Sequence, residues 1–447
     1  MRADFFGFLP SENGENNRNA LQRAVDTCAD VEIALPGVYD FEGTLYIPSG
    51  RHLHFAPGTV LKRVPEKGGK NGYCMINKGA FTGETNENIS VDGLTLEANG
   101  VESAAALAVD ILDELAEQGE KALNDYFDNT VLGLRGQIAF LYVKGLTLTN
   151  FTLNDLCAWD YAVHISDFDG VLLENIHIEG NKDAIHFGPG KNFVLRNGVF
   201  RTLDDPIALN ADDYAPSAPN IGTIENGLIE NCVDLEQEKT CGYFVRLLPG
   251  AAADWTQGMT IRHSDSVIYN GRFYRAVLPD DGTEIISLTP PAHDKGFAIV
   301  DGIPWVRTHL GYTADELPYA AEIKNVTFKD LRSEKTRPAV VILYIADNKY
   351  HRGWRRGSPV PYVRDICFDG VTLCGKAKDA FLLSSPFENF VIKNSSLNGA
   401  AVRFEPGACG VGTYPASFTL ENLRDFRMDD AGAFSEDARQ DGYKVKY

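Results

Sequence analysis

From residue 88 onward the chain repeats one pattern of alternating apolar and polar positions: a short strand, an Asn or Gly, a second short strand, a polar turn, then a third strand. The stretch from Gly170 through Asn175 to Phe187 aligns with the stretch from Asn192 through Asn197 to Leu209 at a shift of 22 residues. Further copies begin near Val143, Ile224, Ile323, Val363 and Phe390. A repeat of about 20 to 25 residues that carries strands and no helix predicts a right-handed parallel β-helix. One coil cannot bury its own apolar side chains, but stacked coils share a single interior, with strands about 4.8 Å apart along the axis.

The ends and interruptions of the pattern predict three additions to this all-β solenoid. Apolar residues at Leu21, Ala24, Val25 and Cys28, with Asn17 placed as N-cap, predict an amphipathic helix that closes the open N-terminal end of the core. Residues 103–130 carry apolar positions at helical spacing and predict an inserted helix packed on the coils. Residues 251–318 contain Asn270-Gly271 between β-rich runs, a hairpin signal, and predict a small inserted β-module. The whole chain, 1–447, is expected as one domain carrying these insertions.

Strand alternation also places the candidate chemistry. Val163-His164-Ile165, Ile185-His186-Phe187, Ile207-Ala208-Leu209 and Val245-Arg246-Leu247 fall on equivalent strands, so their flanking apolar residues point inward. His164, His186 and Arg246 then point outward on one face. Asp160, Asp183 and the pair Asp204-Asp205 lie just before these strands. Asp183 precedes Asp204 by 21 residues and Asp205 by 22, one coil, so the three carboxylates should cluster within reach of one sugar ring. Like charges this close resist simultaneous ionisation, which leaves one of them a proton to donate. Asp also caps backbone at solenoid turns; three in register beside an outward Arg weigh toward chemistry.

Charge and composition narrow the partners. With 42 Lys+Arg against 62 Asp+Glu the net charge is −20, which disfavours nucleic acid and anionic membranes. The chain lacks the pattern of a secretory signal at its N-terminus and has no run of transmembrane length. Its eight cysteines form no Cys-x-x-Cys pair and several sit in strand-like apolar runs, as buried free thiols do in a reducing compartment. The expected location is cytoplasmic, or secreted if a leader was removed. Phosphate-loop, zinc and nucleophile-elbow motifs are missing, and no metal or cofactor is expected.

Three segments carry a family resemblance: Arg135 to Asn150, Cys157-Ala-Trp159 to His164, and Asn181-Lys182-Asp183 with Asp204-Asp205-Pro-Ile-Ala-Leu209. Together they resemble glycoside hydrolase family 28, the polygalacturonase-like family of the parallel β-helix pectinase superfamily, over residues 15 to 250. The resemblance implies that Asp204 is the general acid, that Asp183 and Asp205 activate the attacking water with inversion at the anomeric carbon, and that Arg246 steadies the sugar. Trp159, His164, Asn181, Lys182, His186 and Tyr243 join Arg246 as the implied substrate-binding set. Arg352 and Trp354 are added from the basic aromatic loop Lys349 to Arg356.

The sequence departs from the family pattern at three places. Asn-Thr-Asp is Asn181-Lys182-Asp183, a mild change; Gly-His-Gly has no counterpart, with His164 or His186 as possible replacements; and the Lys of Arg-Ile-Lys is Leu248. In the family that Lys pairs with a galacturonate carboxylate, so a neutral or partly neutral glycan, or a uronic acid recognised by different cations, becomes the better expectation than plain polygalacturonate. Net negative charge points the same way.

The expected function is an inverting glycoside hydrolase acting on a plant- or microbe-derived oligo- or polysaccharide, a monomer or homo-oligomer whose partner is the carbohydrate. Two other readings stay open. In a polysaccharide lyase, Asp183, Asp204, Asp205, Asp212 and Asp213 would hold Ca²⁺ and Arg246 would abstract a proton. In a tailspike-like glycan-binding solenoid, there would be no turnover at all.

Overall fold

The structure is a computed structural model that describes residues 1–67, 72–103, 130–157, 160–279, 281–344, 347–348, 351–352, 358–405, 418–429 and 443–446. Twenty-five of the described strands form one continuous hydrogen-bonded system, paired in parallel from coil to coil. The chain is a right-handed parallel β-helix, as the repeat predicts.

Register follows the alignment read from the sequence. In one column, Val163 pairs with Ile185, Ile185 with Ile207, Ile207 with Val245, and Val245 with Val341. Their side chains, with Ile165, Phe187, Leu209 and Leu247, are buried in one apolar core that runs the length of the solenoid. Burying each such side chain is worth about 1.5 to 3 kcal/mol, so the shared interior is what holds the coils together. Aromatic residues stack inside it; the rings of Phe328 and Phe368 lie 4.3 Å apart and nearly parallel.

The Asn that recurs between strands turns the corners. Asn150, Asn175, Asn197 and Asn231 all have φ between 52° and 57°, a left-handed conformation that Asn tolerates better than most residues. Their side chains form a ladder in which each Nδ2 donates to the Oδ1 one coil back, at 3.0, 3.0 and 2.8 Å. The corner residue is thus selected twice, by its backbone and by its stacking partner.

The N-terminal helix spans Gly14–Thr27 and begins earlier than expected. Asn13, not Asn17, is the N-cap, its side chain accepting from Asn16 N–H. Asn17 is fully buried instead, accepting from Leu9 N–H at 3.0 Å and donating to the Asp40 carbonyl at 3.1 Å, so it stitches the helix to the first coils. Leu21, Ala24 and Val25 bury into the core end, and Cys28 forms the C-cap.

Between residues 253 and 308 the strands leave the solenoid pairing and pair among themselves in two small sheets. Asn270 and Gly271, at φ 54° and 68°, form the two-residue turn between Ser266–Tyr269 and Arg272–Ala276, the geometry that Asn-Gly favours. Trp305 is buried in the small core of this part. The strands Gly250–Ala251 and Ala320–Ala321 pair at its base.

The expected helix at 103–130 lies outside the described residues apart from its two ends. Seven cysteines among the described residues are free thiols. Among the described residues no helix is long and apolar enough to cross a membrane.

Candidate active site

Register brings the predicted residues together on the outer face of the coils. His164 pairs with His186, His186 with Ala208, and Ala208 with Arg246. At the turns that lead into these strands, Asp183, Asp204 and Asp205 converge, with one carboxylate oxygen of each within 4.8 Å of the others. The one-coil spacing in the sequence is therefore a through-space contact.

The three carboxylates have different surroundings. Asp204 is the one that keeps contact with solvent, its side chain 17 % exposed, against 2 % for Asp183 and 1 % for Asp205. Lys182 Nζ donates to Asp204 Oδ2 and lies 3.7 Å from Asp183 Oδ1. Burial works against charge on Asp204, but the Lys182 ammonium outweighs it and holds Asp204 below the usual carboxylate range. Asp205 Oδ1 accepts from Tyr243 N–H at 2.6 Å, and its Oδ2 lies 3.2 Å from Arg246 Nη1. Burial nonetheless pushes Asp205 up to about 8, helped by the neighbouring carboxylates and opposed by Arg246. Burial likewise pushes Asp183 up to about 6.

Arg246 is a hub rather than a free cation. Its Nη2 lies 2.5 Å from Asp213 Oδ2, and its Nε donates to Asn210 Oδ1 at 3.1 Å. Asn210 Nδ2 donates to Asp213 Oδ2 at 2.6 Å and lies 3.3 Å from His186 Nε2. His186 Nδ1 in turn lies 3.3 Å from Asp183 Oδ2. A continuous polar chain runs from Arg246 to Asp183.

The two His residues point away from the solenoid core, as alternation requires, but are shut off from solvent. The His186 ring stacks on Tyr161 at 4.3 Å and meets the His164 ring at 4.4 Å. The Arg135 guanidinium lies 5.0 Å from the Tyr161 ring centre, and the Arg135 backbone N–H donates to His164 Nδ1 at 3.2 Å. Burial pushes His186 down to about 3 and His164 well below its ordinary value, so both are neutral. They form the floor under the carboxylates rather than a solvent-facing wall. Asp160 is also buried, its carboxylate accepting from Ser103 and from Gln137 at 2.6 Å, and so supports a loop.

Of the other predicted residues, Tyr243 reaches the cluster through its backbone N–H, and Asn181 is exposed at the rim. Trp159 and Trp354 lie outside the described residues. Arg352 is placed by its backbone in a two-residue strand paired with Asp347–Asn348, its side chain outside the described set. Leu248 is fully buried and supplies no group to the cleft.

Two features escape a reading of the sequence. Gly242, at φ 65°, sits so close to the acid pair that a Cβ there would lie 2.1 Å from Asp204 Oδ1 and 2.4 Å from Asp205 Oδ1; only the Cys241-Gly242 step before a strand hinted at it. The second is Arg275, on the strand Arg272–Ala276 of the inserted part. It is fully buried, donates to the Asp213 carbonyl and to the Ala218 carbonyl at 2.6 Å, and lies 3.3 Å from Asp212 Oδ1. It locks the loop that carries Asp213 to Arg246. Nothing local in the sequence joins residues 62 positions apart.

Beneath the cluster, Asp234 accepts from Arg337 Nε at 2.8 Å and pairs with Lys335 Nζ at 3.0 Å, all three side chains fully buried. Arg337 also reaches the Asp204 carbonyl at 3.5 Å. This triad fixes the turn from which Asp204 projects.

No protein-family model matches the chain, and no curated protein matches it. Among solved structures, the polygalacturonase from Erwinia carotovora ssp. carotovora superposes with a TM-score of 0.52 at 13% identity, covering 98% of this chain and 95% of that one. The fold is that of a polygalacturonase-like parallel β-helix. A family 28 exopolygalacturonase from Yersinia enterocolitica is similar at TM-score 0.47 and 13% identity, over 100% of this chain and 77% of that one. The A-module of a mannuronan C-5 epimerase from Azotobacter vinelandii gives 0.47 and 12%, over 96% and 98%. At these identities the likeness is one of fold.

Proposed function

We propose that this polygalacturonase-like β-helix is a glycoside hydrolase that cleaves a plant- or microbe-derived oligo- or polysaccharide with inversion. The observation that carries the reading is the carboxylate cluster itself: three Asp side chains within 4.8 Å, graded from the partly exposed Asp204 to the buried Asp183 and Asp205. In this reading Asp204, the most exposed of the three, meets the glycosidic oxygen and gives it a proton. Asp183 and Asp205 are too deep to bond to the anomeric carbon, so they act through a water that both orient; Asp183, the less strongly raised of the two, takes its proton while Asp205 stays protonated. Attack by that water from the face opposite the leaving group inverts the centre. Arg246, held by Asp205, Asp213 and Asn210, steadies the sugar beside the cluster.

The lyase reading is disfavoured by two contacts. The Lys182 ammonium already places a cation on Asp204 and beside Asp183, and the guanidinium of Arg246 is committed to two carboxylates.

Reducing-sugar release across a panel of neutral and uronic oligosaccharides, with wild type and Asp204→Asn in parallel and with and without chelator, tests the proposal. Turnover that disappears in Asp204→Asn and ignores chelator supports it. Binding without turnover in wild type would instead support a glycan-binding solenoid, and calcium-dependent release of an unsaturated product a lyase.

A further inference from the structure

A cavity of about 480 Å³ lies between the inserted part and the coils, and none of its lining residues belongs to the carboxylate cluster. Phe81, Val131 and Leu141 line it from the solenoid side, where they pack in one apolar group. Phe297 and Val306, which pair on neighbouring strands, line it from the inserted part. A largely apolar cavity of this size, at the junction of two parts of a chain, has the form of a small-molecule site.

Its charge runs against that of the rest of the molecule. The chain carries a net −20, yet among the described residues Lys295, Arg307, His293 and His309 line the cavity and no Asp or Glu does. His309 is neutral, because burial pushes it down to about 3. Among the described residues neither Lys295 nor Arg307 makes an ion pair. Asp294, next to Lys295 in the chain, is taken by Arg272 Nη2 at 2.5 Å. Arg307 Nη1 donates to the Thr308 carbonyl and to the Phe273 carbonyl at 3.5 Å, while its Nε is buried without a hydrogen-bond partner. Burial also pulls this guanidinium below its ordinary value. A buried cation short of partners is costly, and an anion beside it offsets that cost.

The neutral polar groups of the wall are already committed to one another. Asn220 donates to the Tyr142 hydroxyl at 2.9 Å and to Asp167 at 2.6 Å, and its oxygen accepts from His309 N–H at 2.8 Å. The His309 ring is held in turn by the Ile221 carbonyl at 2.8 Å and the Thr308 hydroxyl at 2.9 Å. A sugar ring, which needs a partner for each hydroxyl it buries, finds few there. An apolar ring that carries one anionic group is matched on both counts. We propose that this cavity is a second ligand site, which takes a small aromatic carboxylate with its ring packed among Phe81, Phe297 and Val306 and its anion on Arg307 and Lys295. The planar guanidinium suits a carboxylate in particular. Because no residue of the carboxylate cluster takes part, the site does not rest on the hydrolase reading. The bound acid touches the inserted part and the coils at once and ties one to the other.

Isothermal titration calorimetry of the full chain with benzoate, benzamide and acetate separates the two halves of the fit. Benzoate should bind wild type at one saturable site. Benzamide, which keeps the ring, and acetate, which keeps the charge, should bind at least about tenfold more weakly. Arg307→Met and the charge reversal Lys295→Glu should each weaken benzoate about tenfold, and Asp204→Asn should leave it unchanged. If Arg307→Met fails to fold, Lys295→Glu, at an exposed position, decides the matter alone. No saturable binding by about 10 mM benzoate, equal binding of benzamide, or indifference to Lys295→Glu overturns the site. Loss of benzoate binding in Asp204→Asn would move the ligand to the carboxylate cluster and overturn it as well.

Discussion

His186 Nδ1 lies 3.3 Å from Asp183 Oδ2, and neither side chain reaches solvent. The partners on the far side fix which ring nitrogen carries the hydrogen. Asn210 gives its amide hydrogens to Asp213 and to His186 Nε2 while its oxygen accepts from Arg246, so Nε2 is the acceptor and Nδ1–H donates to Asp183. His186 therefore aims Asp183 and stays neutral, because burial pushes it down to about 3. His186→Ala should lower kcat by about 10²-fold, the cost of a misplaced catalytic group, with KM changed little. Neither limb of the activity profile between pH 5 and 8 should belong to His186; steady-state kinetics of wild type and variant across that range checks both.

Gly242 has no room for a side chain. Its φ of 65° is costly for an L-residue, and an added Cβ would lie within 2.4 Å of an oxygen of each member of the acid pair. Gly242→Ala should spread Asp204 and Asp205 and cut activity by at least about 10²-fold. Circular dichroism should show the β-helix still formed, because the strand that follows keeps its register through Val245 and Leu247.

Asp205 makes stability depend on pH. Its carboxyl is pushed up to about 8 in the folded chain, mainly by burial, against about 3.9 in an unfolded one. Between those values the folded state binds the extra proton, so stability falls as pH rises from about 4 to 8. Asp183, pushed up to about 6, adds to the lower part of that window. Thermal melts from about pH 6.5 to 8.5, above the range in which the buried neutral His164 and His186 contribute with the opposite sign, should show Tm falling with pH, and Asp205→Asn, which mimics the protonated carboxyl, should flatten that fall. A variant that melts with an unchanged slope would place the proton elsewhere.

How much of this was legible in the sequence depends on the range of each interaction. The 22-residue alignment fixed the coil register, and through it the meeting of Asp183 with Asp204 and Asp205, because stacking turns one period into one inter-strand step. Alternation placed His164, His186 and Arg246 on one side of the strands, but it cannot tell solvent from a covering layer. Arg135 and Tyr161 supply that layer from a preceding coil and the start of the same strand. The helix starts four residues earlier than the sequence suggests because Asn17, a good N-cap by type, is used to tie two segments together while Asn13 caps. Lys182 looked like a mild change within a motif; its weight comes from where its ammonium rests, which only the fold decides. Arg275 acts through contacts across a long sequence separation and leaves no local pattern, and Gly242 leaves only a Gly before a strand, which does not say what it must clear.

The most direct measurement is a ¹H NMR time course of the first-formed anomer, using whichever glycan of the panel wild type cleaves fastest, with Asp204→Asn as the control. The account predicts a new reducing end whose anomeric configuration is opposite to that of the bond cleaved, and no product from Asp204→Asn. A product with retained configuration, an unsaturated product, or cleavage that survives in Asp204→Asn would contradict it.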